Sequence, residues 1–380
     1  MIIREKLEFM KNKLSTTTSQ KPPLILGIDT SCDETSAAVS CGRVILSNVV
    51  ASQIDLHQEF GGVFPTLAKR AHQENIEVVV KKALKQAQTN FEKIDAIAVT
   101  LGPGLAPALE VGIKYAQKLG AKFNKPVLTI NHIEAHALSV LAERNSHSYN
   151  IKKPATLPAW LPENLGIEFP ILSVVVSGGH TEFILINKIG KYQILGQTID
   201  DAAGEALDKV GRMLNLGYPA APAIEKLAKK GDKNRFKFPL PMTTKKNFNL
   251  SYSGLKTSAH RLITELKEKN QWDQQTIIDF AASFQQAVFR HLAYKLNKLL
   301  TENKQIKQIW LGGGVSQNIA FRRQMRKVAR EYKLDVKTPF AKRLCSDNAA
   351  MIALVGNFHF LQQRKNQKMD RKPNWRITKI

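Results

Sequence analysis

The chain has 380 residues, of which 43% are hydrophobic, enough apolar material for a large core and for two domains of moderate size. Its formal net charge of +24 favours a polyanionic partner such as nucleic acid, although a generally basic surface gives the same balance. No apolar run reaches the roughly 18 residues that cross a bilayer, so we expect no membrane contact, and 3 cysteines argue against a disulfide framework or a zinc ribbon.

Residues 1–23 are basic and rich in Ser and Thr near their end, yet they include Glu5 and Glu8. They lack the long apolar core of a secretory signal. We expect a flexible basic extension and a reducing, cytoplasmic location. The alternative is a transit peptide, which would place the protein in an organellar matrix.

A buried strand is predicted for residues 24–29, because this segment is almost wholly apolar. The turn at residues 30–33 then leads into a second strand near residues 36–39, so that the two form a hairpin with a polar tip. A helix, a strand and the Gly/Pro turn at residues 102–104 follow. Gly120 is expected to end the next helix.

A second strand-turn-strand unit begins at Ile171, after a polar, Pro-rich stretch. Because this half opens as the first does, the sequence indicates a duplicated α/β unit with a ligand cleft between two lobes. The predicted domains are a flexible extension at 1–23, a first lobe at 24–142, a linker or loop at 143–169, a second lobe at 170–345, and a helix with a basic tail at 346–380 that packs back on the first lobe.

Two histidines, His132 and His136, give the sharpest local signal for chemistry. Four residues apart on a helix, they lie about 40° apart around its axis, so both imidazoles can reach one metal ion. A pair of helix-surface histidines has the same spacing. Glu134 lies about 200° around the helix from each histidine and projects away from that metal, which opposes a metalloprotease with Glu134 as its base.

Asp347 is the candidate third ligand, at the start of a helix expected over residues 348–355. An Asp before a helix is more often an N-cap, which is the competing interpretation. Two histidines and one carboxylate leave coordination positions open, which suits a metal that binds a substrate oxygen as a Lewis acid. Iron, zinc and manganese all accept this ligand set.

Two glycine-rich turns are candidate anion sites. The turn at residues 177–181 offers consecutive N–H groups and hydroxyls, although a plain hairpin turn has the same composition. The turn at residues 312–314 lies between a strand and a basic helix, a geometry that can hold an anion, although close backbone packing also selects glycine. It lacks the Lys-Ser/Thr ending of a P-loop, which disfavours ATP hydrolysis by that mechanism.

Four acidic residues crowd into one short stretch of this basic chain: Asp200, Asp201, Glu205 and Asp208. Such crowding suggests ligand contacts, and the charge suits ribose hydroxyls better than phosphates. An amphipathic surface helix explains the pattern equally well.

Taken in order, these segments resemble the TsaD branch of the tRNA threonylcarbamoyladenosine family over residues 24–375. The stretches that carry the resemblance are 27–35, 132–136, 175–181, 200–209, 238–242, 252–257, 312–318 and 345–352. The resemblance implies an α/β protein of the actin-like ATPase superfold, which sugar kinases and chaperone ATPases share, with two duplicated lobes around a central cleft.

The resemblance also implies the residues of the site. The metal ligands, which act in catalysis through the metal, would be His132, His136 and Asp347. Substrate or nucleotide contacts would come from Val175, Val176, Ser177, Gly178, Gly179, Asp208, Ala221 and Asn318. The implied metal is one divalent ion, Fe²⁺ or alternatively Zn²⁺, and the implied nucleotide is threonylcarbamoyl-adenylate, ATP or AMP in the cleft.

The activity implied is transfer of a threonylcarbamoyl group from threonylcarbamoyl-adenylate to the N6 amine of adenosine 37, in tRNAs that read codons beginning with A, with release of AMP. Implied partners are tRNA, the synthase that makes the adenylate, and helper subunits resembling TsaB, a catalytically inactive relative, and TsaE, an ATPase; organellar members can act alone. An actin-like metabolite kinase or an ATP-binding scaffold is the alternative, and a metalloprotease is a further one.

The sequence departs from the family pattern at several positions. Ala220 and Ala221 replace the glycines of a Pro-Gly-Gly-Pro segment, and Ala221 falls where a family glycine contacts the nucleotide. A methyl group there would narrow the pocket. Thr66, Pro107 and Leu240 stand where Glu, Gly and Arg are usual. These changes bear on specificity and rate, and they leave the metal motif whole.

Overall fold

The computed structural model describes residues 22–145 and 166–380 and contains two mixed β-sheets. Most of the predicted extension at 1–23 and of the predicted linker at 143–169 lies outside these described residues. Within them, no helix combines the length and the apolar character that a membrane span requires.

In residues 22–145 the first sheet has six strands: β1 (Leu24–Asp29), β2 (Glu34–Cys41), β3 (Val44–Ser52), β4 (Ala96–Gly102), β5 (Val127–Asn131) and β6 (Glu143–Arg144). Their order is β5-β4-β1-β2-β3-β6. The first three form an antiparallel meander, and β4 and β5 run parallel to β1. Every residue of β1 and β4 is buried, as expected for strands with both faces covered.

The second sheet repeats this arrangement with β7 (Ile171–Val176), β8 (Thr181–Lys188), β9 (Lys191–Gln197), β10 (Gln308–Gly312) and β11 (Asp335–Lys337). Its order is β11-β10-β7-β8-β9, again a meander followed by two parallel strands. The order of five strands is therefore the same in both halves. The duplicated α/β architecture predicted from the sequence is confirmed.

The helices among the described residues are α1 (Ile54–His57), α2 (Pro65–Gln86), α3 (Ala106–Phe123), α4 (His132–Leu138), α5 (Ala203–Met213), α6 (Ala221–Ala228), α7 (Ser253–Glu268), α8 (Gln274–Glu302), α9 (Ile319–Glu331) and α10 (Ala349–Leu361). Short 3₁₀ turns join several of them. The longest, α8, supplies much of the apolar core of the second lobe.

Gly120 does not end α3, contrary to the sequence prediction. The helix continues to Phe123 and stops at Asn124, which adopts the left-handed conformation with φ 51°. A Cβ atom at Gly120 would lie 2.5 Å from the side chain of Val127. Glycine is needed at this position for close packing against β5, and Asn124 supplies the stop signal.

The C-terminal helix α10 packs on the sheet of the first lobe, against β1, β2 and β4. It is buried from Ala349 to His359. A Cβ atom at Gly27 of β1 would lie 2.4 Å from the carbonyl oxygen of Ala349, so the missing side chain allows the start of α10 to approach this strand. Because α10 also contacts α4, residues just before α10 lie beside the helix that carries both candidate histidines.

Candidate active site

The two histidines lie on α4, which begins directly after β5. Asn131 caps the helix, since its side-chain oxygen accepts hydrogen bonds from the backbone N–H groups of Ile133 and Glu134. All 7 residues of α4 are buried. The alternative of a histidine pair on a helix surface is therefore wrong. The rings of His132 and His136 lie 4.6 Å apart between centroids, nearly perpendicular to each other.

Asp347 faces this pair of histidines. Its Oδ1 lies 3.0 Å from Nε2 of His136 and 3.4 Å from Nε2 of His132. The N-cap of α10 is the next residue, Asn348, whose side chain accepts from the N–H groups of Ala350 and Met351. The interpretation of Asp347 as a helix cap is wrong, and its carboxylate is free for another role.

These three side chains fit a divalent metal ion. One ligand atom from each lies within 4.8 Å of the others, and two imidazoles with one carboxylate are a ligand set that transition metals accept. Among the residues that the structure describes, Nδ1 of His132 has no hydrogen-bond partner, and it lies 3.6 Å from Oδ2 of Asp29, which also lacks one. A carboxylate behind a ligating histidine fixes the ring and its tautomer, which is the arrangement found around metal centres.

Asp29 was not among the residues predicted from the sequence. Its position at the carboxyl end of β1, next to the polar tip of the first hairpin, was the available signal. Its Oδ1 accepts a hydrogen bond from the backbone N–H of Ser31 at 3.1 Å, which orients the carboxylate. Asp29 does not line the ligand cavity, and its carboxylate faces the site only through the ring of His132.

The charges around the histidines favour a cation. Burial favours the neutral ring of His132, but Asp347 and then Asp29 outweigh it and raise its pKa to about 10. Burial lowers the pKa of His136. Burial also opposes ionisation of Asp347, yet His132 and His136 hold the pKa of that carboxyl well below its usual range. The carboxylates thus stabilise positive charge at the point where the two Nε2 atoms converge.

Glu134 is turned away from the metal ligands, as predicted from the helix geometry. It is fully buried and accepts hydrogen bonds from the hydroxyl of Tyr192 at 2.6 Å and from Arg364 at 3.3 Å. Its other oxygen contacts Nε2 of His359 at 3.0 Å. This placement opposes a role as the base of a metalloprotease, since Glu134 is fully occupied on the far side of α4.

A cavity of about 700 Å³ opens between the two lobes, beside the metal ligands. Of the three candidate metal ligands, His132 and Asp347 line the cavity, whereas His136 does not. The predicted contact residues that line it are Ser177, Gly178, Gly179, Asp208, Ala221 and Asn318. A candidate metal centre and a ligand-sized cavity therefore share one wall.

The glycine turns divide into two kinds. A Cβ atom added at Gly178, Gly179 or Gly314 would meet no atom of the described part of the chain within 4 Å, so packing there does not explain these glycines. At Gly312 it would lie 2.4 Å from the carbonyl oxygen of His136, and at Gly313 it would lie 2.3 Å from that of Val176. Gly312 and Gly313 are therefore required for close packing, and the open glycines face the cavity that they line.

Val175 and Val176 do not line the cavity, although they were predicted as contact residues. Both are fully buried on β7, and their side chains belong to two different hydrophobic clusters on the two faces of the sheet. Successive side chains of a strand point to opposite faces, and here both faces are covered. The cavity wall starts only at Ser177, where β7 ends.

Asn318 lines the cavity, but the fold uses most of its side chain. The oxygen caps α9 by accepting from the N–H groups of Ala320 and Phe321, and the amide donates to Gln285 at 2.7 Å. A ligand can reach only the remaining amide hydrogen and the backbone. If Asn318 contacts a ligand as predicted, it does so through these groups.

The side chain of Asp208, on α5, contacts the start of α6, where Ala221 lies. Oδ1 of Asp208 accepts from the N–H groups of Ala220 and Ala221, at 2.8 and 2.7 Å. Burial raises the pKa of Asp208. Ala221 lines the cavity, whereas Thr66, Pro107 and Leu240 lie outside the lining.

The acidic cluster serves the fold for the most part. Asp200 accepts hydrogen bonds from Ser251, Tyr252 and Ser253, and Asp201 pairs with Lys209 and Lys256. Only the two members on α5, Glu205 and Asp208, reach the cavity. The ligand-contact interpretation thus holds for at most half of the cluster.

Other cavity residues were missed from the sequence. Asp33 and Glu34, at the polar tip of the first hairpin, line the wall near the metal ligands. Burial, followed by the charges of Asp347 and Asp33, raises the pKa of Glu34 well above its usual range. His180 also lines the cavity, and burial with the charges of the two α4 histidines lowers its pKa to about 3, so it is neutral.

Comparison with known proteins agrees with this architecture. The family model for TsaD, tRNA N6-adenosine threonylcarbamoyltransferase, matches residues 44–160 and 155–354. The tRNA N6-adenosine threonylcarbamoyltransferase of Thermosipho africanus is 42% identical over 88% of this chain and 93% of its own length. That of Geotalea uraniireducens is 41% identical over 94% and 97% of the two chains.

Among solved structures, HypF of T. kodakarensis has a TM-score of 0.56 at 15% identity, over 91% of this chain and 48% of its own, which is a likeness of fold alone. The actin-like superfold predicted from the sequence is confirmed. Because the family model and relatives above 40% identity cover most of its length, the chain belongs to the tRNA N6-adenosine threonylcarbamoyltransferase family, a family of transferases that act on tRNA.

Proposed function

We propose that the protein transfers a threonylcarbamoyl group from threonylcarbamoyl-adenylate to the N6 amine of adenosine 37 in tRNAs that read codons beginning with A. AMP is released. The observation that carries this proposal is the shared wall of the cavity, where His132 and Asp347 lie beside open glycines at residues 178 and 179. Membership of the family supplies the reaction class.

In this proposal His132, His136 and Asp347 hold one divalent ion, Fe²⁺ or alternatively Zn²⁺. Bound there, the ion supplies Lewis acidity toward a substrate oxygen. Asp29 keeps the ring of His132 oriented through Nδ1. The N-cap Asn348 keeps the carboxylate of Asp347 free by taking over the helix start.

The reaction makes a C–N bond between N6 of adenosine and the carbamoyl carbon, and it breaks the bond from that carbon to a phosphate oxygen of AMP. The amine loses one proton. Asp33 and Glu34 are carboxylates of the cavity wall that can accept it. The uncovered backbone at Gly178 and Gly179 leaves room for the adenylate beside the metal ligands.

The direct test is mass spectrometry of tRNA nucleosides after incubation with threonylcarbamoyl-adenylate. The expected product is threonylcarbamoyladenosine, formed with one equivalent of AMP. Phosphate transfer from ATP to small metabolites, without modified nucleoside, would instead identify a kinase of the same superfold. The proposal includes helper proteins resembling TsaB and TsaE as partners, so the assay is run with and without them. The proposed location of the reaction is the cytoplasm.

We expect tRNA binding to be strongly dependent on salt. The net charge of +24 offers many Lys and Arg contacts to phosphates, and each contact releases counterions. Affinity is expected to fall by about a hundredfold or more between roughly 50 and 200 mM salt. Filter binding over that range measures it. An affinity that stays nearly constant would contradict an electrostatic tRNA surface.

Substitution Gly179→Ala is expected to separate activity from stability. Since a Cβ atom there meets nothing within 4 Å, the free energy of unfolding should change by less than about 0.5 kcal/mol. Transfer should fall roughly tenfold or more, because the methyl group takes ligand space. Gly313→Ala is the matched control. With φ +84° and a contact at 2.3 Å, it should lose about 1–3 kcal/mol of stability. Full activity of a folded Gly179→Ala protein would remove this turn from the binding site.

A further inference from the structure

Two exposed aromatic side chains lie beside the mouth of the cavity. Phe60 is 55% exposed and Phe64 is 49% exposed, and their rings stack with centroids 5.3 Å apart. Gly61 and Gly62, which lie between them in the chain, line the cavity. Leu56 is 47% exposed in the same segment. A contiguous apolar patch at the edge of a binding cavity marks a contact surface.

The segment that carries the pair is held by a buried polar network. His57 is fully buried; its Nδ1 accepts from the backbone N–H of Phe64 at 3.3 Å, and its Nε2 contacts Gln53 at 3.2 Å. Gln53 in turn donates to Nδ1 of His72 at 3.1 Å. The opposite nitrogen of His72 contacts the carbonyl oxygen of Cys32 in the cavity wall at 3.0 Å. The aromatic pair is therefore fixed relative to the cavity.

A cation from the other lobe reaches the same place. Nη1 of Arg212, on α5, donates to the carbonyl oxygen of Gly61 at 2.5 Å. Among the described residues Arg212 has no ion pair with a carboxylate, whereas its neighbours Lys209 and Lys256 are both paired with Asp201. The guanidinium is exposed and keeps donors for an anion, and Arg is well suited to phosphate.

We propose that Phe60 and Phe64 form a stacking platform for the unpaired bases that flank the target adenosine of tRNA, and that Arg212 binds a phosphate between those bases. This inference rests on the proposed function. A base whose amine reacts inside a cavity must leave its stack, so its neighbours lose a stacking partner. Aromatic side chains replace that partner when proteins bind single-stranded RNA, with little dependence on sequence.

The position of the patch favours RNA over a protein partner. Gly61 and Gly62, between the two phenylalanines, are part of the cavity wall, so a molecule that extends out of the cavity over this wall can reach the aromatic pair. The adjacent Arg212 gives the patch a positive charge. Apolar rings next to a free cation complement a base and its phosphate.

The test uses tRNA with 2-aminopurine next to the target adenosine, whose fluorescence is quenched on stacking. Wild-type protein should quench it, and Phe60→Ala or Phe64→Ala should relieve the quenching and weaken tRNA binding by about 5- to 100-fold. Phe64→Trp should keep both properties. Val78→Ala is the matched control, since Val78 is 48% exposed on α2 but lies outside the cavity lining. Arg212→Gln should lower the slope of log affinity against log salt by about 0.7.

The proposal would be overturned if folded Phe60→Ala and Phe64→Ala proteins quench the fluorescence and bind tRNA as the wild-type protein does. So would a loss of activity that appears only with helper proteins present while tRNA binding is unchanged, because it would assign the patch to a protein. The proposed function can fail separately. If wild-type protein binds the tRNA and quenches its fluorescence but forms no modified nucleoside, the stacking platform stands and the proposed reaction is contradicted.

Discussion

A protein with His136→Ala is expected to lose its bound metal and its transfer activity together. His136 is fully buried, and its Nε2 lies 3.0 Å from Asp347, so its removal takes away one of the three candidate ligands. Loss of an outer-shell partner at a metal site typically costs 10- to 100-fold, and loss of a ligand should exceed about 100-fold in transfer. The measurements are metal content of the purified protein and nucleoside mass spectrometry under single-turnover conditions.

His260→Ala is the matched control for that experiment. His260 is an exposed histidine of α7, outside the cavity lining, so its removal should leave metal content and rate as they are. Because the alanine at 136 also leaves a void in the core, His136→Gln serves as a second variant that keeps most of the volume. A folded variant of either kind that contains no metal and still transfers the group at a wild-type rate would remove the metal from the mechanism.

The histidine pair could be found from the sequence because its geometry is local. Four residues on a helix fix where His132 and His136 lie relative to each other, whatever the rest of the chain does. The same rule placed Glu134 on the opposite side, and its contacts with Tyr192 and His359 confirm it. The duplication was likewise open to prediction, since each half opens with the same strand-turn-strand series, and the shared order of five strands confirms it.

Local geometry was not enough to predict that Asp347 lies beside the histidines. It is 211 residues from His136 in the chain, and the two meet only because α10 packs against the first sheet and Asn348 takes the cap. Composition and spacing favoured a cap, and the family resemblance pointed to the ligand. The position of Asp347 beside the histidines depends on tertiary packing, including the close approach of α10 to β1 that Gly27 allows because it has no side chain.

Other errors have similar physical causes. A glycine that ends a helix and one that lets a helix approach a strand look alike in sequence, which is why Gly120 was misjudged. Val175 and Val176 belong to a motif that ends in the cavity, but strand geometry buries them before the motif reaches it. Asp29 and Phe64 were missed because their significance comes from what lies next to them in the folded protein.

Substitution Glu134→Ala is expected to lower the free energy of unfolding by about 3–5 kcal/mol, because it leaves His359 and Arg364 without their buried partner. Urea denaturation measures this change. Glu74→Ala is the matched control. Glu74 pairs with Arg70 on the exposed face of α2, and its loss should change stability by less than about 1 kcal/mol.

The two outcomes for Glu134 separate two explanations of a His-x-Glu-x-His sequence. If the glutamate served as a catalytic base, its removal would abolish reaction and leave stability nearly intact. If it anchors α4 to α10 through His359, its removal weakens the fold, and any surviving native protein should still bind metal, since neither histidine has lost an atom. Glu134→Gln keeps the shape of the side chain and removes its charge. Its free energy of unfolding should lie between those of the wild-type and Glu134→Ala proteins, and its metal content should be unchanged. The helix then has two faces with distinct tasks: one carries the two imidazoles, and the other fixes their direction through the buried contacts of Glu134 with His359 and Arg364.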